Sequence, residues 1–290
     1  MANPGTPMTL DLPAELIDGL GVCAATPVSG GDIAMAYRLD TADGPLFLKW
    51  HPSPAPDLFA REAAGLRALR GAGAIALPDV VREAPAGLVL EWIDVGRRTN
   101  GSEAALGREL AALHRTTNDV FGAVGGAPSG YLGSQPVDLT PTASWVELYF
   151  ARRVRPLTRR AVELGRLDPE ATALVDRLEP RAAELGGPPE PPALLHGDLW
   201  AGNRLVDVAG RNWLIDPAAH WGHREVDLAM MRLFGGFGDA AFAAYDESFP
   251  LAAGWRQRVD WYQAAPLLVH AILFGGHYGA AALAALGRYA

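Results

Sequence analysis

Asp198 and Asn203 stand five residues apart in LLHGDLWAGNRLV (residues 194–206), with His196 just upstream and an apolar stretch on either side. An Asp and an Asn at this interval have a definite use in phosphoryl transfer. The carboxylate accepts the proton of an acceptor hydroxyl, and the amide oxygen ligates a metal ion on the phosphates. Asp216, thirteen residues beyond Asn203 at the end of NWLID, can reach the same metal from a strand end. Mg²⁺ favours such oxygen donors and retains several waters. The same residues also suit a plain hairpin with polar turns, in which Gly197 and Gly202 serve as turn glycines. The loop by itself does not decide between the two.

A second set of residues tips the balance. Lys49 closes the apolar strand LFLKW, and Glu62 lies on the following helix on the face that also carries Phe59 and Leu66. A strand lysine held by a helix glutamate aims an ammonium at the α- and β-phosphates of a nucleotide. Taken singly, each is as well explained as a solvated charge; in this order, ahead of Asp198, Asn203 and Asp216, the paired reading is preferred. In VSGGDIAMAY (28–37), Gly30 and Gly31 let backbone N–H groups approach a phosphate with no Cβ in the way. In LEWID (90–94), the backbone of Glu91 and Ile93 is placed to bond an adenine edge. The expected assignment is therefore Asp198 as base, Asn203 and Asp216 as Mg²⁺ ligands, and Gly30, Gly31, Lys49, Glu62, Glu91 and Ile93 for ATP. His114, His270 and His277 read as structural. The sequence contains no zinc spacing, P-loop or dinucleotide fingerprint.

The elements that must position these residues change character along the chain. Residues 20–50 read as strands bounded by SGGD and DTADGP, and Asp57 opens a helix that Gly71 and Gly73 end. LVLEWI (88–93) reads as a buried strand, which closes a small strand-rich lobe over 1–93. From 94 to 290 the texture is mainly helical. Helices are expected over 102–116, over 142–165 with a kink at Pro156, and from Asp168-Pro169 to about 185. Short strands at 193–196, 203–207 and 212–216 frame the Asp-Asn-Asp set, and helices fill 224–290. The class expected is α+β.

The chain has 290 residues and a net charge of −8. That balance argues against a nucleic-acid partner, since no basic surplus exists to neutralise phosphates. Cys23 is the single cysteine, so no internal disulfide is expected and a reducing, cytoplasmic setting is natural. The opening residues lack a basic n-region and apolar core, so no signal peptide is expected. The apolar run 264–287 is broken by His270, Gly275, Gly276 and His277, which favours buried helices over a membrane span.

SGGDIAMAYRL, FLKW, FAREAAGLRAL, LAALHRTT, HGDLWAGN and DPAAHWGHREVDLAMMRLFGGF, spread over residues 29–237, resemble the fructosamine kinase (ketosamine-3-kinase) family. This family is a member of the aminoglycoside-phosphotransferase-like branch of the protein-kinase-like fold. The resemblance implies two lobes, a β-rich one over 1–93 and a mainly helical one over 94–290. It implies ATP- and Mg²⁺-dependent phosphorylation of the 3-hydroxyl of an amine- or protein-bound ketosamine, whose product releases the amine. It also implies that Asp227 organises the catalytic loop; it offers Trp200 and Trp221 as aromatic faces to the sugar or its amine carrier, and Arg224 either as a substrate contact or as a support for the loop. The chain departs from the family pattern at Ala34, at Trp50-His51, at Ser129-Gly130 and at His220-Trp221-Gly222. These positions bear on which substrate is taken rather than on the reaction class. The rival expectations are a kinase for another small-molecule hydroxyl, aminoglycoside- or choline-like, and a nucleotide-binding protein without turnover. Oligomeric state is not legible.

Overall fold

The computed structural model describes residues 12–29, 34–126 and 128–290. The chain divides into two compact units, one of residues 1–63 and 79–92, the other of residues 64–78 and 93–290.

The first unit opens with α1 (Ala14–Ile17), followed by β1 (Val22–Pro27), β2 (Met35–Thr41), β3 (Gly44–Trp50), the start of α2 (Leu58–Gly71), β4 (Val80–Ala84) and β5 (Gly87–Glu91). The strands form one antiparallel sheet in the order β1-β2-β3-β5-β4. Strand alternation sets what each face carries. Leu39, Leu48 and Val89 are fully buried beside Leu16, so Lys49, next to Leu48, projects from the opposite face. On α2 the buried Phe59 and Leu66 lie three and four residues from Glu62, which puts all three on one helix face. Gly30 and Gly31, expected to approach a phosphate, lie outside the described residues.

The segment 64–78 groups with the second unit for packing reasons. A Cβ on Gly65 would lie 3.0 Å from the Cβ of Ala219. Ala76 bridges Trp213, and its carbonyl accepts from the Leu214 N–H at 2.9 Å. The boundary is therefore discontinuous, where the sequence pattern led to a single cut at 93.

The second unit continues with α3 (Asn100–Leu113), β6 (Gly122–Ala123), β7 (Ser129–Leu132), β8 (Gln135–Asp138), a π-helical segment (Glu147–Val154), α4 (Arg155–Glu163), α5 (Glu170–Leu178) and α6 (Ala182–Leu185). Then come β9 (Ala193–Leu195), β10 (Arg204–Val206), β11 (Asn212–Leu214), β12 (His220–Gly222), α7 (Glu225–Leu233), α8 (Asp239–Ser248), α9 (Val259–Phe274) and α10 (Tyr278–Gly287). Thr99 and Ser102 close a reciprocal capping box at the start of α3. The helix expected over 142–165 is a π-helix that hands over to α4 at Pro156. Proline has no N–H to donate, and its ring strikes the carbonyl of Arg152 in a regular α-helix; the wider turn upstream removes that clash. The helix expected to reach 185 starts as anticipated, with Asp168 Oδ1 accepting from the Glu170 N–H at 2.9 Å. Pro180 then interrupts it in a 3₁₀ turn between α5 and α6. The apolar run 264–287 forms α9 and α10, joined at Gly275 and Gly276, and supplies much of this unit's core. Among the described residues no helix is long and apolar enough to cross a membrane.

Candidate active site

In the first unit, Lys49 Nζ lies 3.0 Å from Glu62 Oε1 and 2.9 Å from Oε2. Both side chains are largely buried, 14% and 11% exposed, so the pair has lost most of its water and holds a defined geometry. Glu91 ends β5, and its N–H donates to the Asp79 carbonyl at 2.9 Å. That N–H is therefore taken up inside the first unit. Ile93 follows in the second unit, buried.

In the second unit, a short hairpin builds the Asp-Asn-Asp set. β10 pairs β11 with Arg204 opposite Leu214, and the Ile215 N–H extends the ladder by donating to the Asn203 carbonyl at 3.0 Å. Asn203 and Asp216 therefore sit at one end of the hairpin. Asn203 Nδ2 donates to the Asp198 carbonyl at 2.8 Å, and lies 3.3 Å from Asp198 Oδ2 and 3.5 Å from the Asp216 carbonyl. The structure thus gathers Asp198, Asn203 and Asp216. Burial pushes the Asp198 carboxyl up to about 7, and the neighbouring Asp216 carboxylate adds to the rise against the opposing Asn203 amide. Two neighbouring carboxylates beside an Asn side chain offer the hard oxygen donors that Mg²⁺ favours. Among the described residues no three His, Cys, Asp or Glu side chains form a cage.

The loop is fixed from below. Asp227, fully buried near the start of α7, accepts from the His196 N–H at Oδ2 and the Gly197 N–H at Oδ1, both at 2.8 Å. Burial drives its carboxyl up, but the bond from His114 and the charges around it outweigh this and hold it below the usual carboxylate range. His114, as expected, is a satisfied buried residue, bonded to Tyr245 Oη at 2.8 Å and to Asp227 Oδ2 at 3.2 Å. His196 donates from Nε2 to the Ile215 carbonyl at 2.9 Å, so its Nδ1 is left to accept from the Asp198 N–H at 3.3 Å. Burial holds it neutral. Gly197 has φ +83°, and a Cβ there would meet the Ala218 carbonyl at 2.1 Å, so no other residue fits. Asp216 itself takes φ +53°, a costly conformation for a residue with a side chain and a common one at functional sites.

The remaining candidates divide. Trp200 lies in the loop, 40% exposed, with its ring over Gly202, where a Cβ would meet Cη2 at 2.1 Å. Trp221 is the middle residue of β12, half-buried, between β6 and β9. Arg224, offered above as a substrate contact, is spent elsewhere. It makes two bonds to Glu190, at 2.7 and 2.8 Å, and further bonds to the Phe249 and Pro250 carbonyls. Its guanidinium stacks 3.8 Å over the Phe249 ring, and the residue is only 4% exposed. A substrate role would require breaking this set, so the structure corrects that expectation.

Two residues that sequence reasoning passed over also hold the loop. Arg98 Nη2 donates to the carbonyls of Ala201 and Arg204, at 2.5 and 2.6 Å. Below it, Arg204 is fully buried and ion-paired with Glu103, and it bonds Asn212 Oδ1 at 2.8 and 3.0 Å. Arg153, 2% exposed, donates from Nη1 to His220 Nε2 at 3.2 Å. His220 therefore carries its proton on Nδ1, which donates to the Ala218 carbonyl at 2.9 Å. Among the described residues Arg153 Nε and Nη2 find no partner, and burial brings its guanidinium down to about 10. No sequence signal marks either arginine, because each acts on residues far away in the chain.

This arrangement can be compared with known proteins. A ketoamine kinase (named as probable) of Enterococcus faecium is 35% identical over 258 residues, covering 87% of this chain and 90% of that protein. A chloroplastic protein-ribulosamine 3-kinase of Oryza sativa subsp. indica is 31% identical, covering 92% and 79%. A crystal structure from Thermobifida fusca, named as a "putative fructosamine-3-kinase", is 40% identical, with a TM-score of 0.87 over 95% of this chain and 96% of that one. A choline kinase from Streptococcus pneumoniae, 16% identical with a TM-score of 0.63 over 94% and 96% of the two chains, shares the kinase-like fold alone. The description "Fructosamine kinase" matches residues 14–289, and the chain belongs to that family of ATP-using phosphotransferases.

Proposed function

We propose that this chain transfers the γ-phosphoryl group of ATP, with Mg²⁺, to the 3-hydroxyl of a ketosamine, a fructosyl or ribulosyl group joined to an amine. The observation that carries the reading is the gathering of Asp198, Asn203 and Asp216 on a loop pinned by Asp227, within a chain of this family. In this reading Asp198 orients the sugar hydroxyl and accepts its proton late in transfer. Asn203 and Asp216 hold the metal, which when bound neutralises charge on the phosphates. Lys49, steadied by Glu62, binds the α- and β-phosphates, the Glu91 carbonyl and the Ile93 backbone bond the adenine, and Gly30 and Gly31 cover the phosphates. Trp200 and Trp221 supply aromatic faces to the sugar or its amine carrier. The 3-phosphate decomposes and releases the amine, so the role is deglycation, placed in the cytoplasm.

The test is a substrate panel. Fructosyl- and ribulosyl-amines, an aminoglycoside and choline are each offered with ATP and Mg²⁺, and ADP formation is followed. Turnover on the ketosamines and none on the other two is expected. Preference for the aminoglycoside or choline would replace the substrate class, and ATP binding without turnover on any acceptor would make the chain a binding protein.

A further inference from the structure

Three Phe, Tyr or Trp side chains are exposed among the described residues: Trp200 at 40%, Phe234 at 43% and Phe274 at 52%. They are not scattered. The Trp200 ring meets Phe234 edge-on at 6.4 Å, Phe234 lies 5.1 Å from the His270 ring, and His270 lies 5.5 Å from Phe274 and 5.0 Å from Tyr278. The result is one aromatic stripe that begins in the catalytic loop two residues after Asp198 and runs out along the end of α9. Exposing three large rings in one line is costly to leave uncovered, and such surfaces mark binding sites. Arginines elsewhere in the molecule sit over Trp92, Phe150, Tyr245 and other rings, but among the described residues no arginine covers the rings of this stripe. The rings open to an outside group are those of Trp200, Phe234 and Phe274.

We infer that this stripe is the track for the amine side of the acceptor, and that its occupant is the extended peptide carrying the ketosamine on a lysine. The inference rests on the ketosamine reading above. Two features select this occupant. The stripe is continuous with the loop that holds the base, so an acceptor whose hydroxyl lies at Asp198 continues directly onto Trp200. The ketosamine nitrogen, a secondary amine protonated at neutral pH, meets the Trp200 face nearest the base, where a ring attracts such a cation and the net charge of −8 favours it further, so Phe234 and Phe274 beyond it fall to the carrier that follows the amine. At about 3.3 Å per residue, the ring-to-ring steps match a few residues of extended chain.

The test compares two acceptors: a fructosyl- or ribulosyl-methylamine, which has no carrier beyond the amine, and a short glycated peptide with the ketosamine on an internal lysine. Phe274→Ala should raise KM for the glycated peptide about tenfold and leave kcat and KM for the methylamine adduct unchanged. Phe274→Lys, which places a cation on the track, should raise the peptide KM further. Equal effects on both acceptors, or none on the peptide, would overturn the inference. So would a wild-type dimer that Phe274→Ala dissociates without touching peptide KM, because the stripe would then belong to a second copy. If the wild type phosphorylates neither acceptor, the underlying ketosamine reading falls, and this outcome is separate from all the others.

Discussion

Asp198 is caught between stability and chemistry. Its carboxyl is raised from 3.8 to about 7 by burial and by the Asp216 carboxylate. An acid whose folded pKa lies above its unfolded value binds its proton more tightly in the folded state. Its ionisation therefore costs stability, absent below pH 4 and complete above pH 7. Asp198→Asn removes that cost. Without metal the variant should melt roughly 2–4 °C higher than wild type at pH 8 and no higher at pH 4, on the order of 1–2 kcal/mol after discounting for solvent at the site. Equal melting temperatures at pH 8, measured by calorimetry, would show that Asp198 is not crowded as described. Lys49→Ala should cut kcat/KM for ATP by about 10²–10³, as expected for loss of a preorganised charge on the phosphates. A steady-state titration of ATP measures this, and unchanged kinetics would remove Lys49 from the phosphate site. These residues were the most legible part of the sequence, because the chemistry fixes both their type and their spacing. Arg224 was open between substrate contact and strut, because a charge beside a site suits either, and only its bonds to Glu190 distinguish the two.

Among the elements, the loop between β9 and β10 is held by side chains that no local pattern announces. Arg98 reaches carbonyls more than a hundred residues away in the chain, and Arg153 reaches His220 sixty-seven residues on. Such partners are set by the fold and not by spacing. The hairpin β10–β11 and the helices α2, α9 and α10 were readable from apolar periodicity and glycine stops. The π-helix before Pro156 was not, because an i to i+5 turn leaves no composition signal. Arg153→Met gives a sharp test of the element scale. Removing a buried cation with two unpaired nitrogens should leave the fold as stable or more so. It also frees His220 and loosens the Ala218 carbonyl that borders Gly197, so kcat should fall about tenfold with little change in sugar KM. A variant that loses activity only in step with its melting temperature would reduce Arg153 to a packing role.

Across the whole molecule, net charge and the single cysteine bounded the answer without naming it, and the kinase-like class came from the order of the motifs. The division into units was only coarsely legible. The grouping of residues 64–78 with the second unit depends on contacts at Ala219 and Trp213 that follow a hundred and more residues later. In the proposed function, one carboxylate, Asp198, turns an ATP-binding chain into a ketosamine 3-kinase. The most direct test is phosphorus NMR of a fructosyl- or ribulosyl-amine incubated with ATP, Mg²⁺ and either wild type or Asp198→Asn. A phosphate on the sugar O3 with the wild type, and none with a variant that still binds ATP, is the predicted result. Phosphate on another oxygen, or undiminished O3 phosphate from the variant, would contradict it.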